Sequence, residues 1–181
     1  MLDYVLRHAG QFEAARVDTG DAKKRTVRNS MRRARVLWNA GKIGRVIQRR
    51  VRSNLPAVLG RLAIPAFRVR RIESQITASN HGEFFRKHTD SSYGDHQRRA
   101  ISYVYYFHRR PRRFSGGELL LYATWYENGK LVYKTEPGTI LPRQNRIVLF
   151  PSNALHEIRT VRCPSRSFAD SRFTVNGWVC R

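Results

Sequence analysis

The sequence predicts an α+β chain that is mainly β: a helical lead-in, then many short strands forming a sandwich or barrel with the helices packed on one side. Three observations carry this expectation. Up to about residue 66 apolar residues recur at helical spacing, whereas from about Phe67 the period becomes two. Turn-forming residues then punctuate the chain at short intervals. Finally, 41% hydrophobic content with 9 Phe, 8 Tyr and 3 Trp is enough for one real core in 181 residues, and excludes whole-chain disorder.

In chain order, Leu2, Val5, Leu6 and Ala9 share one helical face. A second helix is expected over Asn29 to Trp38, ending before Gly41. Ile47, Val51, Leu55, Val58, Leu59 and Leu62 form a third helical stripe. Pro56 should interrupt it, because proline lacks the amide donor and disfavours helix at the residue before it. Strands are expected over Phe67 to Ser79, Arg99 to Phe107, Gly117 to Ala123, Ile147 to Phe150, Leu155 to Val161 and Arg172 to Val179. Gly94, Pro111 to Gly116, Pro137-Gly138 and Pro142 break them. Asn128-Gly129, flanked by Tyr126 and Tyr133, predicts a tight hairpin turn with two positive φ angles. The chain therefore divides into a basic helical region, residues 1–66, packed on a β core, residues 67–181, within one structural domain.

Charge is the unusual quantity: 35 Lys and Arg against 13 Asp and Glu, a formal +22, with 29 of the basic residues arginine. Such a charge attracts anionic partners through long-range steering and counterion release. No apolar run reaches the ~20 residues of a membrane-spanning helix. Asp3, His8 and Glu13 spoil a secretory signal, and two cysteines, Cys163 and Cys180, make neither a disulfide framework nor a thiolate metal cage. A cytoplasmic protein is expected.

The chemistry-bearing segment is Gly82-Glu-Phe-Phe-Arg-Lys-His88-Thr-Asp90. Residues two apart on a strand project to one face, so His88 and Asp90 can converge on a single ion. A third ligand must come from elsewhere, and His156 follows the compact apolar stretch Ile147 to Phe150. Two imidazoles and one carboxylate on one face are the ligand set of non-haem Fe(II) oxygenases, with positions left open for an organic acid and dioxygen. His8, His81, His96 and His108 lack comparable context. A lone His-x-Asp is as readily a surface hydrogen-bonded pair, so the surrounding text decides.

From Ile72 to Trp178 that text resembles the Fe(II)- and 2-oxoglutarate-dependent dioxygenases, specifically their prolyl 4-hydroxylase-like branch. The matching pieces stand in family order: Gly82-x-Phe84-Phe85 before His88-x-Asp90, Arg99 to Phe107, Phe114-Ser-Gly-Gly117-Glu-Leu119, Asn145 to Ser152 leading into His156, and Arg172 to Trp178. The resemblance implies a double-stranded β-helix, or jelly roll, with the N-terminal helices packed on one sheet. It implies Fe(II), 2-oxoglutarate and O2 as cofactors, with His88, Asp90 and His156 as catalytic metal ligands. The distal carboxylate of 2-oxoglutarate then needs a permanent cation, which arginine supplies as a bidentate fork. Arg172, six residues before Trp178, is the favoured candidate. His156 to Arg172 is 16 residues, longer than is usual in the family, and Arg166 falls at the usual spacing. Tyr106 aligns with a tyrosine whose hydroxyl also contacts that carboxylate. Trp178 suits a packing wall, and Gly116 and Gly117 suit close backbone packing. Retention of Asp90 favours hydroxylation over halogenation.

The expected substrate is a peptidyl residue of prolyl type, or an amino acid or natural-product intermediate, with acidic substrates among the candidates. An oxygenase acting on nucleic acid ranks behind these, because residues 172–178 lack the signature of base-repair relatives. A basic nucleic-acid-binding jelly-roll module without catalysis is the alternative from another class, and the basic stretch 23–52 is its natural surface. It would need none of His88, Asp90, His156 and Arg172. Oligomeric state is not encoded legibly.

Overall fold

The computed structural model describes residues 1–18, 25–91 and 98–181; Gly94 and His96, singled out above, lie outside them. Among the described residues two α-helices, Leu2–Arg7 (α1) and Gly41–Arg61 (α2), accompany short N-terminal strands: Glu13–Ala14 (β1), Val17–Asp18 (β2), Arg25–Thr26 (β3), Arg32–Arg33 (β4) and Arg35–Leu37 (β5). The β-rich part comprises Arg71–Ser79 (β6), Phe84–His88 (β7), Arg99–Phe107 (β8), Ser115–Gly116 (β9), Leu119–Leu121 (β10) and Thr124–Glu127 (β11). It continues with Lys130–Tyr133 (β12), Gly138–Ile140 (β13), Arg146–Pro151 (β14), His156–Ile158 (β15), Val161–Arg162 (β16) and Arg172–Cys180 (β17).

Two antiparallel sheets form the body. The major sheet runs β1-β5-β6-β17-β8-β14, and the minor sheet runs β13-β10-β15-β7-β4. This is the expected double-stranded β-helix with its helices on one sheet. Alternation along β17 explains why the major sheet has two different faces. Phe173, Val175 and Val179 point into the apolar core, whereas Arg172, Thr174, Asn176 and Trp178 line a cleft between the sheets. The core is closed by α2, whose Ile43, Ile47, Val51, Leu55 and Leu59 are all buried. Their spacing forms one stripe down the helix, and burying each such side chain stabilises by about 1.5–3 kcal/mol.

The hairpin turn is as expected: Asn128 and Gly129 have φ of 50° and 75°, and β11 pairs with β12 across them. Two helix expectations need correction. Residues 29–38 are not helical. Arg, Ala and Leu favour helix weakly, but β4 pairs with β7 and β5 with both β1 and β6, burying Val36 and Leu37. The chain thus switches from minor to major sheet within a few residues, and the N-terminal region contributes strands to both. Secondly, Pro56 does not interrupt α2, which runs unbroken to Arg61. The proline faces solvent, so its missing donor leaves a carbonyl open to water while Leu55 and Leu59 stay buried.

Candidate active site

His88 is the last residue of β7 and His156 the first of β15, and these strands pair with His156 directly opposite His88. Cross-strand partners share a face, so the register itself sets the two imidazoles together, ring centroids 4.1 Å apart. Asp90 follows just beyond β7. Its backbone N–H donates to the Ser152 carbonyl (2.8 Å), turning the carboxylate back towards the rings. Asp90 Oδ1 lies 3.6 Å from His88 Nε2, and Oδ2 lies 3.5 Å from His156 Nε2. One ligand atom from each residue fits within 4.8 Å of the others.

The surroundings fix which atoms face the common centre of the three side chains. His88 Nδ1 donates to the Arg86 carbonyl (2.8 Å) and His156 Nδ1 to the Ala154 carbonyl (2.9 Å). With Nδ1 carrying the proton, each Nε2 lone pair is directed at the shared site. Phe85 stacks on His88 at 3.5 Å, and Phe150 meets His156 edge-on at 4.8 Å. Asp90 Oδ2 accepts from Ser102 Oγ (2.6 Å), and that hydroxyl also contacts Ser152 Oγ at 3.0 Å.

Electrostatics agree. Burial pushes His156 down to about 4, helped by the neighbouring His88, so its imidazole is neutral near pH 7. Burial alone would raise Asp90, but His156, His88 and the Ser102 hydroxyl together hold its carboxyl well below the usual range. The site therefore presents a neutral imidazole at His156 and a carboxylate anion at Asp90.

Deeper in the cleft, Arg172 is buried, and its Cζ stands 5.0 Å from the Tyr106 ring centroid. Arg172 Nε and Nη2 and the Tyr106 hydroxyl are buried with no hydrogen-bond partner. Burial lowers the Arg172 guanidinium and raises the Tyr106 phenol, and each partly restores the other. Orphaned donors of this kind are costly unless a ligand claims them, and a carboxylate matches both the fork and the hydroxyl. Gly117 (φ 70°) makes room: a Cβ there would lie 2.6 Å from Arg172 Cδ. Arg166, the competing candidate, is placed elsewhere, on the exposed loop after Cys163 with φ 53°. It stands outside the cleft that Arg172 lines. Trp178 forms a wall, backed by Arg99 at 3.6 Å over its ring.

Reasoning from sequence missed the contact of Ser102 with Asp90 and the place of Arg32 in the lining of the cleft. Ser102 had a signal, a small polar residue on the inward face of a strand otherwise rich in apolar side chains. Arg32 had none, because a helix was expected there. The triad and the orphaned Arg172 and Tyr106 atoms fit Fe(II) and 2-oxoglutarate by the chemistry of their donors.

Residues 74–180 match the family described as the 2OG-Fe(II) oxygenase superfamily. An uncharacterized PKHD-type hydroxylase of Synechocystis is 42% identical over 156 residues, 85% of this chain and 52% of that protein. The chain thus spans about half the length of the curated relative it matches. Among solved structures, a Pseudomonas putida prolyl-4-hydroxylase shares the fold with TM-score 0.60 and 20% identity, over 99% of this chain and 82% of that one. A prolyl hydroxylase from Trichoplax adhaerens, solved with a hypoxia inducible factor peptide, gives TM-score 0.65 and 17% identity over 99% and 74%. At such identities the likeness concerns the fold.

Proposed function

Because the chain belongs to the 2OG-Fe(II) oxygenase superfamily, we propose that it hydroxylates an unactivated C–H bond, holding Fe(II) on His88, Asp90 and His156 and 2-oxoglutarate on Arg172 and Tyr106. Bound together, Fe(II), 2-oxoglutarate and O2 supply the oxidising power, with succinate and carbon dioxide as by-products. The protein's own part is placement and charge. The carbonyls of Arg86 and Ala154 keep the Nδ1 protons of His88 and His156, and Ser102 keeps Asp90 oriented. Arg172 gives the co-substrate tail a charge-assisted fork, and the apolar rings of Phe85, Phe150 and Trp178 exclude water around the reacting centre.

The observation that carries this reading is the pairing of a 4.8 Å His-Asp-His cluster with a buried, unclaimed guanidinium in the same cleft. The substrate is a small molecule or a peptidyl residue of prolyl type; the Trichoplax neighbour's peptide complex supports the latter. Among the described residues no helix is long and apolar enough to cross a membrane. Cys163 and Cys180 are free and buried, which suits the reducing cytoplasm. Anaerobic titration with Fe(II) and 2-oxoglutarate tests the proposal. A visible charge-transfer band is expected in the wild type and not in His88→Ala. No band in the wild type removes the oxygenase reading.

A further inference from the structure

The cleft holds a second cation that neither the triad nor the co-substrate site uses. Arg32 sits on β4, opposite Phe85 of β7, and its side chain lines the cleft. Its Cζ lies 4.7 Å from the Phe85 ring centroid, and that ring stacks in turn on His88 at 3.5 Å and 18°. A guanidinium, a phenyl ring and a metal-facing imidazole thus form one stack leading from the sheet edge to the triad. Among the described residues nothing hydrogen-bonds or ion-pairs with this guanidinium, so its planar fork of N–H donors is open towards the cleft. Burial lowers Arg32 to about 10, with Asp90 opposing, so it stays charged near neutral pH.

Arg172 belongs to a different wall. It rises from the major sheet against Gly117 and Tyr106, whereas Arg32 rises from the edge of the minor sheet beyond the strand that carries His88. Two forks at separate walls suit two anions. Asp90 is the acidic group that faces Arg32, and a divalent cation at the triad offsets that charge, leaving Arg32 without compensation in a partly buried site. Resting on the oxygenase reading, we propose that Arg32 determines specificity by binding a carboxylate of the primary substrate, so that the enzyme acts on a carboxylate-bearing molecule. The carbon skeleton then lies along the edge of the Phe85 ring, whose two faces Arg32 and His88 cover, setting a C–H bond a few bonds from the carboxylate beside His88 and His156.

The test uses the full chain loaded anaerobically with Fe(II) and 2-oxoglutarate, and reads ligand binding by the shift of the visible band and by calorimetry. The probes are free L-amino acids, each beside its carboxamide, and end-blocked peptides containing Asp or Glu beside Asn or Gln. The wild type should bind at least one acid on the order of 10- to 100-fold tighter than its amide, the range for losing a charge-assisted hydrogen bond. Arg32→Gln should erase that preference while leaving 2-oxoglutarate affinity nearly unchanged, and Arg32→Lys should restore part of it. A response confined to free amino acids assigns the carboxylate to a metabolite, and one confined to the blocked peptides assigns it to an acidic side chain. Equal binding of acid and amide, no carboxylate shifting the band, or loss of 2-oxoglutarate binding in Arg32→Gln each overturns the inference while the oxygenase reading stands. Absence of any band in the wild type takes both down together.

Discussion

Replacing Arg172 by methionine separates the cost of the buried cation from its use. Without 2-oxoglutarate, Arg172 carries Nε and Nη2 in a buried setting with no partner, and unsatisfied groups of this kind cost about 1–3 kcal/mol. Methionine fills similar space without that penalty, so Arg172→Met should stabilise the unliganded protein by about 2 kcal/mol. For a chain of this size that corresponds to a rise in Tm of roughly 4–8 °C. Co-substrate binding should respond in the opposite sense. Wild type at 2-oxoglutarate concentrations ~100 times Kd gains about 2.7 kcal/mol of apparent stability. Removing one partner of a buried charge pair costs about 2–5 kcal/mol, so the variant should show almost no ligand-induced shift at that concentration. Scanning calorimetry with Mn(II) in place of Fe(II), with and without 2-oxoglutarate, measures both. A variant that melts well below wild type, yet still gains stability from 2-oxoglutarate, would refute the assignment of Arg172 and its orphaned donors to the co-substrate.

Other expectations follow from the same contacts. Ser102→Ala removes the 2.6 Å hydrogen bond to Asp90 Oδ2 and should weaken Fe(II) affinity by about 10- to 100-fold, measured by competition with a chelator, with little change in Tm. The metal-free protein should lose stability as pH falls from about 6.5, the unfolded imidazole value, towards about 4. Over that window the unfolded state takes up a proton at His156 that the folded state refuses; His156→Gln should flatten the slope in melting curves recorded against pH. Asp90, held low in the fold, adds a further loss of stability below the ordinary carboxylate value near 3.9. Pro56→Ala should stabilise the protein by about 1–3 kcal/mol, because a helix-interior proline costs about 3 and the more flexible unfolded chain returns up to ~1. Denaturant titration checks it, and 2-oxoglutarate affinity should not move.

What was legible in the sequence is what local pattern encodes. Arg99–Phe107 is a nearly continuous run of β-branched and aromatic residues, and Arg172–Cys180 alternates polar with apolar from Arg172 to Asn176, which is enough to mark both as strands. Asn128-Gly129 names its own turn. The His88-x-Asp90 pair and His156 were legible through spacing together with the order of the surrounding motifs. The segment 29–38 was not, because its strands are two or three residues long and exist through pairing with β1, some twenty positions earlier, and with β6 and β7, some forty to fifty positions later. Ser102 carried a partial signal as a small polar residue on an apolar strand, but its contact with Asp90 arises only where β8 meets the turn that carries Asp90. Arg166, the less favoured candidate, lies on an exposed loop at positive φ, as the loop-like text around it suggested.

The misread segment also changes what the charge means. Read as a helix, residues 29–38 would spend their arginines on a solvated face; as strands, with β4 at the edge of the minor sheet, they extend the wall of the cleft beyond His88. Three arginines that approach the cleft share one device, a guanidinium against an aromatic ring: Arg32 on Phe85 at 4.7 Å, Arg99 on Trp178 at 3.6 Å and Arg172 on Tyr106 at 5.0 Å. The flat face sheds water against the ring while the N–H edge stays available for an anion, which a lysine ammonium, strongly hydrated on all sides, does poorly. Arg99 shows the device with an acidic partner, its Nη2 donating to Glu73 at 2.9 Å. Arg172 and Arg32 keep the ring contact without any acidic partner in hydrogen-bonding reach among the described residues. Two such half-finished pairs beside one His-Asp-His cluster match the proposed reaction, which brings two carboxylates into a single cleft, one on the co-substrate and one on the molecule to be oxidised.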